Sequence, residues 1–237
     1  MAYVDGFFAA VPAANQESYR KHALQGVPLF QEFGATRQVE TWGDDVPDGK
    51  LTDCRRAVKA EPGEVIAFSW LEYPDKATRE AAIAKMMSDA RMKELGASAP
   101  FDGARMICGG FAVIVDAGAS SKPGYVDGSL VAVPTGSAAA YRELAATQAA
   151  VMLEHGATRV VEAWGDDVPD GKLTDCRRAV LATADETVVF GRVEWPSKAV
   201  RDAAWPKVFA DPRMHPTDLP IDNNRRIWGG FVPLLDE

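Results

Sequence analysis

The chain has 237 residues, 47% of them hydrophobic, and a formal net charge of −8. The length allows one or two domains, and no apolar run approaches the roughly 18 residues of a membrane span. The acidic balance argues against a nucleic-acid partner, because phosphate binding needs clustered Lys and Arg. Three cysteines and a start without a basic signal-peptide region predict reduced thiols in a cytoplasmic protein.

A tandem repeat organises the chain. The segment Trp42–Val58, WGDDVPDGKLTDCRRAV, returns letter for letter at Trp164–Val180. At the same offset of 122 residues, Tyr3–Met92 and its copy share 48 of 90 aligned positions. A repeat of this length predicts two similar structural units in one chain. The predicted units are residues 1–115 and 125–237, with a small, polar linker at residues 116–124.

The first predicted elements of each unit are a strand and a helix. Tyr3–Val11 is rich in aromatic and β-branched residues and predicts a strand. Asn15 and its copy Ser137 are predicted N-caps of a helix that ends near Phe33 in the first unit. Pro28 lies inside this helix only in the first copy, so we expect a kink or an early frayed end there.

Further strands and a second helix follow in each unit. Thr36–Trp42 predicts a strand, and the polar GDDVPDGK segment after it contains a Pro-Asp-Gly turn signal. Cys54–Lys59 and Val65–Tyr73 predict two more strands joined by a tight link. Asp75 is a predicted N-cap of the second helix. The closing strand is predicted at Arg105–Val113, and the second unit repeats the whole order.

This order is that of the ferredoxin-like βαββαβ plan, an α+β fold with a hairpin in the middle. Helices on one face of the sheet leave its other face bare, and one unit alone would expose a large apolar patch. We therefore expect the two units to pack sheet against sheet as an intrachain pseudo-dimer. The tether raises the effective concentration of each unit for the other to the order of mM.

The chain contains the motifs YVDGF, GATR, WGDDVPDGK, RRAVKA, EYPDKATRE or EWPSKAVRD, DARM or DPRM, and the closing GGF. In these motifs it resembles the bacterial YbaA-like family, a domain of unknown function with the number 1428. The resemblance covers nearly all of both repeats and implies a dimeric α/β-barrel fold. That superfamily includes cofactor-independent monooxygenases, haem-degrading enzymes and stress-responsive proteins, and it supplies no catalytic residues to carry over. Family members are usually single units, whereas two are fused here.

The acidic loop is the first candidate site. Its carboxylates are Asp44, Asp45, Asp48 and Asp53, with copies in the second repeat. Spaced carboxylates on a turn can bind Ca²⁺, but Val46 and Arg55 occupy positions where an EF-hand needs ligands. We expect no metal here. The carboxylates are predicted to accept backbone amides and to pair with Arg55 and Arg56, with a functional carboxylate at a pocket mouth as the alternative.

Aromatic and guanidinium groups supply the second candidate site. Trp42 near Arg55 could bind an anionic planar ligand, although the barrel core is the favoured position for Trp42. Trp70 in the first repeat becomes Arg192 in the second. If Arg192 points inward, it needs an acidic partner or marks an anion-binding pocket. The candidate ligand-binding residues are Trp42, Asp44, Asp45, Arg55, Trp164, Asp166, Asp167, Arg177 and Arg192. Catalytic residues are not predicted.

Differences between the repeats leave two interpretations of the interior. Ile83 becomes Trp205 and Cys108 becomes Trp228, either as volume compensation or because one half keeps a pocket that the other fills. None of the three histidines recurs in both repeats, so a symmetric histidine site is not expected.

Two functional classes remain open from the sequence. The first is a barrel that binds or transforms a small aromatic or apolar metabolite without a tightly bound cofactor, in a cavity within each sheet-helix unit. The alternative is a non-catalytic interaction or stress-related protein that uses the duplicated acidic loops. The predicted partners are the two repeats for each other and a small-molecule ligand, with no nucleic acid and no membrane.

Overall fold

The computed structural model describes residues 1–215 and 221–237, so five residues of the predicted second unit, 216–220, lie outside the described residues. The first unit contains β1 (Tyr3–Pro12), α1 (Gln16–Glu32), β2 (Arg37–Asp45), α2 (Cys54–Ala57), β3 (Glu64–Tyr73), α3 (Lys76–Ser88), α4 (Ala90–Ala97) and β4 (Ile107–Gly118). The second contains β5 (Tyr125–Pro134), α5 (Ala138–Glu154), β6 (Arg159–Asp167), α6 (Cys176–Ala179), β7 (Glu186–Trp195), α7 (Lys198–Ala210) and β8 (Ile227–Asp236). Within the described residues, every helix is too short or too polar to span a lipid bilayer.

The eight strands close into one antiparallel barrel. The order around it is β1-β3-β2-β8-β5-β7-β6-β4, so each unit supplies four neighbouring strands. Two seams join the units: β2 pairs with β8, and β4 pairs with β6. The predicted α+β pseudo-dimeric barrel is therefore confirmed. Strand β4 extends to Gly118, so the predicted linker begins within a strand; the unit boundaries themselves stay a prediction.

Phenylalanine rings from both units fill the barrel interior. Phe68 of β3 stacks on Phe190 of β7 with ring centroids 5.0 Å apart, and on Phe231 of β8 at 5.2 Å. A Cβ at Gly6 would lie 2.3 Å from the Phe190 ring, and a Cβ at Gly128 would lie 2.6 Å from Phe68. The glycine of each YVDG motif therefore makes room for a ring from the other unit.

Ion pairs close one mouth of the barrel. Arg192 is 1% exposed and donates to Glu72 at 2.6 Å and to Glu194 at 3.2 Å. Arg37 donates to Glu194, and its repeat copy Arg159 donates to Glu72. The guanidinium of Arg192 also lies 4.6 Å from the centre of the Trp70 ring. Each unit thus contributes acids and bases to a network that neither could complete alone.

The segment Cys54–Lys59 was predicted as a strand, and that prediction is wrong. Residues Cys54–Ala57 form the one-turn helix α2, because the Asp53 side chain accepts from the Arg56 amide at 2.8 Å and caps it. Each short helix also contacts the opposite unit. The Thr52 hydroxyl donates to the carbonyl of Ala179 at 2.8 Å, and Thr174 makes the reciprocal bond.

The long helices lie outside the barrel, and their ends match the predictions only in part. Asp75 caps α3 through the Thr78 amide, as predicted. Asn15 and Ser137 were predicted caps, but neither side chain caps its helix, since a 3-10 turn precedes α1 and α5. The Asn15 amide instead donates to the Pro100 carbonyl at 2.9 Å. Helix α1 also continues through Pro28 to Glu32, so the early end does not occur.

The mouth network predicts a loss of stability in acid. Burial alone would raise the pKa of Glu72, but the charges of Arg192, Arg159 and Arg37 outweigh it and lower that pKa to about 2. A lowered carboxyl pKa stabilises the folded state above the unfolded value, and this contribution is lost as the pH falls through about 2. We expect Glu72→Gln to cost about 3 kcal/mol at pH 7, since one pKa unit corresponds to about 1.4 kcal/mol.

Urea denaturation at pH 7 and pH 3 measures this effect. The gap in unfolding free energy between wild type and Glu72→Gln should shrink at pH 3. There the unfolded wild-type chain binds a proton at Glu72, whose ordinary pKa is 4.5, whereas the folded carboxylate is still mostly ionised. Glu154→Gln, which removes an exposed partner of Arg213, serves as the control and should leave the unfolding midpoint unchanged. A gap of the same size at both pH values would contradict the assignment.

Candidate functional site

Each half contains a cavity between the outer face of its sheet and the helices that cover it. The first cavity has a volume of about 320 Å³ and the second about 640 Å³. Both lie outside the barrel, whose interior is packed with side chains. Each cavity also reaches a residue of the opposite acidic loop: Pro169 lines the first and Asp45 the second. The volumes suit small organic molecules.

The first cavity is mostly apolar. Its wall is formed by side chains from strand β1, helices α1, α3 and α4, and the segment before β4, including Phe7, Phe30, Ile83, Met86, Leu95, Phe101 and Met106. Cys108 also lines it, and burial raises the pKa of this thiol, so it stays protonated near neutral pH. Such a wall favours an apolar or aromatic molecule, since its flexible methionines adapt to irregular shapes.

A buried carboxylate lies in the wall of this apolar cavity. Asp5 is 3% exposed, and Arg79 of α3 donates to it through Nε at 2.8 Å. Burial raises the pKa of Asp5 to about 6, although the charge of Arg79 acts in the opposite direction. A carboxyl group with a pKa near 6 can exchange a proton with a bound molecule close to neutral pH.

A second polar group of this cavity is engaged by its neighbours. Tyr19 donates to Glu40 at 2.6 Å, and the Gln38 amide donates to the other oxygen of Glu40 at 3.0 Å. The Ser69 hydroxyl lies 3.0 Å from the Tyr19 oxygen. Burial raises the pKa of Glu40, but the neighbouring donors already occupy both of its oxygens. Asp5 is therefore the better candidate for proton transfer.

The equivalent carboxylate of the second cavity is held by more donors. Asp127 accepts from Arg201 at 2.8 Å, from the Trp195 indole at 2.8 Å and from the Trp205 indole at 3.0 Å. In the first half, Tyr73 occupies the position of Trp195, and Ile83 occupies the position of Trp205. The two cavities have thus diverged around the same aspartate.

The acidic loops bind the opposite half of the chain. Asp44 pairs with Lys198 at 2.9 Å and accepts from Tyr125, while Asp45 pairs with Arg201 at 2.8 Å. The second loop repeats this arrangement. Asp166 pairs with Lys76 at 2.7 Å and accepts from Tyr3, and Asp167 accepts from Arg79. Each loop therefore positions the arginine that holds the buried aspartate of the other half.

The remaining predicted residues lie away from the cavities. Arg55 donates to the carbonyl of Glu64, and Arg177 donates to that of Glu186, so both fasten the start of a strand. Trp42 packs under α1, with its ring centroid 6.1 Å from that of Tyr19, and so lies outside the barrel core. Trp164 makes the same contact with Tyr141. Ligand binding by these residues stays a prediction.

Arg192 points into the barrel and has the acidic partners that its inward position requires, Glu72 and Glu194. It therefore belongs to the network at the barrel mouth. The described residues contain no cluster of three or more His, Cys, Asp or Glu side chains arranged to hold a metal ion.

Asp5 and Arg79 were missed by the sequence reasoning. Both are identical in the two repeats, as Asp127 and Arg201, and a charged residue inside an apolar strand was a usable signal. Their pairing could not be read from the sequence, because 74 positions separate the aspartate from its arginine.

The fold and the paired cavities define a class of protein: an eight-stranded α/β barrel of two ferredoxin-like units, with ligand-sized cavities between sheet and helices. The chain belongs to the family described as a protein of unknown function (DUF1428), whose model matches residues 2–103 and again residues 124–223. The uncharacterized protein YbaA of Escherichia coli K12 is 62% identical over 116 residues, which cover 49% of this chain and 99% of that protein. YbaA of Shigella flexneri matches equally well.

Solved structures share the whole fold. A "putative monooxygenase" from Fusobacterium nucleatum matches with a TM-score of 0.62 at 12% identity, over 100% of this chain and 94% of that one. A "putative monooxygenase" from Lactobacillus acidophilus gives 0.60 at 8% identity, over 99% and 95%. An "anthrone oxidase-like protein" gives 0.51 at 11% identity, over 100% and 92%. At such identities the likeness shows the fold alone.

The capping carboxylate of the acidic loop gives a testable stability effect. Asp53 is 4% exposed and accepts from the amides of Arg56 and Gly49 at 2.8 and 3.2 Å. We expect Asp53→Ala to cost about 1–3 kcal/mol, because the amides of Arg56 and Gly49 lose the buried carboxylate that accepts from them. Asp48→Ala, an exposed change in the same loop, is the control and should leave the urea midpoint unchanged. Equal midpoints for both variants would contradict the cap.

Proposed function

We propose that the first cavity binds a small aromatic or apolar molecule with a weakly acidic C–H bond and oxidises it with O₂. The observation that carries this proposal is the position of Asp5, a buried carboxyl group with a pKa of about 6 in the wall of a mostly apolar cavity of about 320 Å³. The likeness in fold to proteins whose names refer to monooxygenase and anthrone oxidase supports the reaction class by analogy.

The proposed reaction begins with proton transfer. Asp5 removes a proton from an activated CH₂ group, and the resulting carbanion reacts with O₂ to give a hydroperoxide that takes the proton back. Loss of water, with removal of the second C–H proton, leaves a ketone. The sum is R₂CH₂ + O₂ → R₂C=O + H₂O, in which the substrate supplies all four electrons. The reaction therefore requires no additional reductant.

The surrounding residues have defined roles in this proposal. Arg79 keeps the carboxylate of Asp5 oriented, and Asp167 of the opposite half keeps Arg79 in place. The apolar wall excludes water, which strengthens the proton-transfer interactions and protects the carbanion from reprotonation by solvent. The alternative, a binding surface built on the acidic loops, is disfavoured because Asp44, Asp45 and their copies pair within the chain.

Oxygen uptake with anthrone as the probe tests the proposal. We expect wild-type protein to accelerate uptake, with a rate that rises about tenfold per pH unit below pH 6 and levels above it, since the base must be ionised. Asp5→Asn should lower the rate at least about 100-fold. Ile83→Trp, which introduces the residue of the second half, should block the cavity and also lower it.

Asp127→Asn is the matched control, because it makes the same change in the half where two indoles hold the carboxylate. It should retain most of the wild-type rate. Uptake that survives in Asp5→Asn, or that falls equally in Asp5→Asn and Asp127→Asn, would contradict the assignment of the base.

A further inference from the structure

The second cavity differs from the first around one half-buried carboxylate. Glu162 occupies the position of Glu40 and accepts from Tyr141 at 2.9 Å, as Glu40 does from Tyr19. The other polar neighbours are absent. Val160 occupies the position of Gln38, which donates to Glu40, and Gly191 occupies the position of Ser69, which contacts Tyr19. Burial raises the pKa of Glu162, because the ionised carboxylate is less well solvated there than in water.

Gly191 gives this carboxylate room to face the cavity. A Cβ at that position would lie 2.7 Å from Oε1 of Glu162, so any side chain there would displace the carboxylate. Among the hydrogen bonds of the described residues, Oε2 of Glu162 accepts from Tyr141, while Oε1 lies against Gly191 and the cavity. A carboxylate oxygen in a cavity of about 640 Å³ is available to a ligand.

New polar groups surround Glu162 at positions that are apolar or small in the first half. Phe7 becomes Ser129, Gly26 becomes Gln148 and Met106 becomes Arg226, and all three replacements line the second cavity. The positive charge of Arg226 lowers the pKa of Glu162. The Arg226 guanidinium donates through Nε to Asn223 at 3.2 Å, and the ion pairs of the described residues do not join Arg226 to Glu162. An acid and a base that face one cavity without pairing suit a ligand that lies between them.

Volume compensation does not explain this pattern. Compensation exchanges apolar groups of similar total volume, whereas these changes remove the amide of Gln38 and the hydroxyl of Ser69 from the surroundings of a half-buried carboxylate and add a guanidinium to the same cavity. Glu162 keeps one protein donor, Tyr141, and its residue lines the cavity, where a ligand can supply a second donor. We propose that the second cavity binds a small carboxylic acid that carries an amino or hydroxyl group. Arg226 binds the ligand carboxylate, and Glu162 accepts from the amino or hydroxyl group.

This site is independent of the oxidation proposed for the first cavity. The second cavity acts as a binding site of different chemistry in the same chain, one that a symmetric homodimer of single units would not have. Selectivity follows from the Glu162 carboxylate, because an analogue that lacks the donor group gives the cavity-facing oxygen no hydrogen bond.

Isothermal titration of the full chain tests the site with matched probes. The probes are L-alanine, L-lactate, L-phenylalanine and L-phenyllactate, each compared with propionate or 3-phenylpropionate, which lack the donor. We expect at least one donor-bearing acid to bind at least about tenfold more tightly than its partner without the donor. Binding of neither kind, or equal binding of both, would overturn the proposal.

Variants locate the binding. Gly191→Ser and Arg226→Met install the residues of the first half, and each should weaken the bound probe at least tenfold. Ser69→Gly and Asp5→Asn change only the first cavity. They should leave the affinity of the second cavity for the bound probe unchanged. Melting temperatures identify any variant that fails to fold, in which case the other second-cavity variant decides. Affinity that persists in a folded Gly191→Ser or Arg226→Met protein would overturn the proposal.

Discussion

The structure depends on the need of each four-stranded sheet to cover its inner face. Helices shield only the outer face, and the inner face carries large rings such as Phe68 and Phe190. Each ring fits over a glycine of the opposite unit, Gly128 or Gly6, so the packing is reciprocal. The seams between β2 and β8 and between β4 and β6 satisfy strand edges that would otherwise stay open. Association of the units is thus part of folding.

The same association builds the cavities, and fusion allowed them to diverge. An acidic loop of one half fixes the arginine that holds the buried aspartate of the other, as Asp167 does for Arg79 and Asp45 for Arg201. In a homodimer both cavities would be identical. In one chain the first can keep an apolar wall beside Asp5 while the second gains Arg226 and has Val160 and Gly191 in place of Gln38 and Ser69. The contact of Arg192 with Trp70 is a similar asymmetric pairing at the barrel mouth.

The sequence predicted the architecture because the repeat and the periodic apolar strands report on burial directly. It failed at Cys54–Ala57, where an apolar pattern of a few residues fits a strand or a helix and the Asp53 cap decides. It also failed at Asn15, because a preceding 3-10 turn removed the capping geometry. The sequence did not predict the pairing of Asp5 with Arg79, because these residues are 74 positions apart and come together only in the tertiary structure. Trp42 attracted attention by its size, but it lies under a helix.

Differential scanning calorimetry of the full chain tests the dependence of each unit on the other most directly. Two units that cannot fold separately must melt together, so the calorimetric enthalpy should equal the van't Hoff enthalpy in a single transition. A calorimetric enthalpy about twice the van't Hoff value, or two resolved transitions, would mean that the halves unfold as independent domains and would contradict the account.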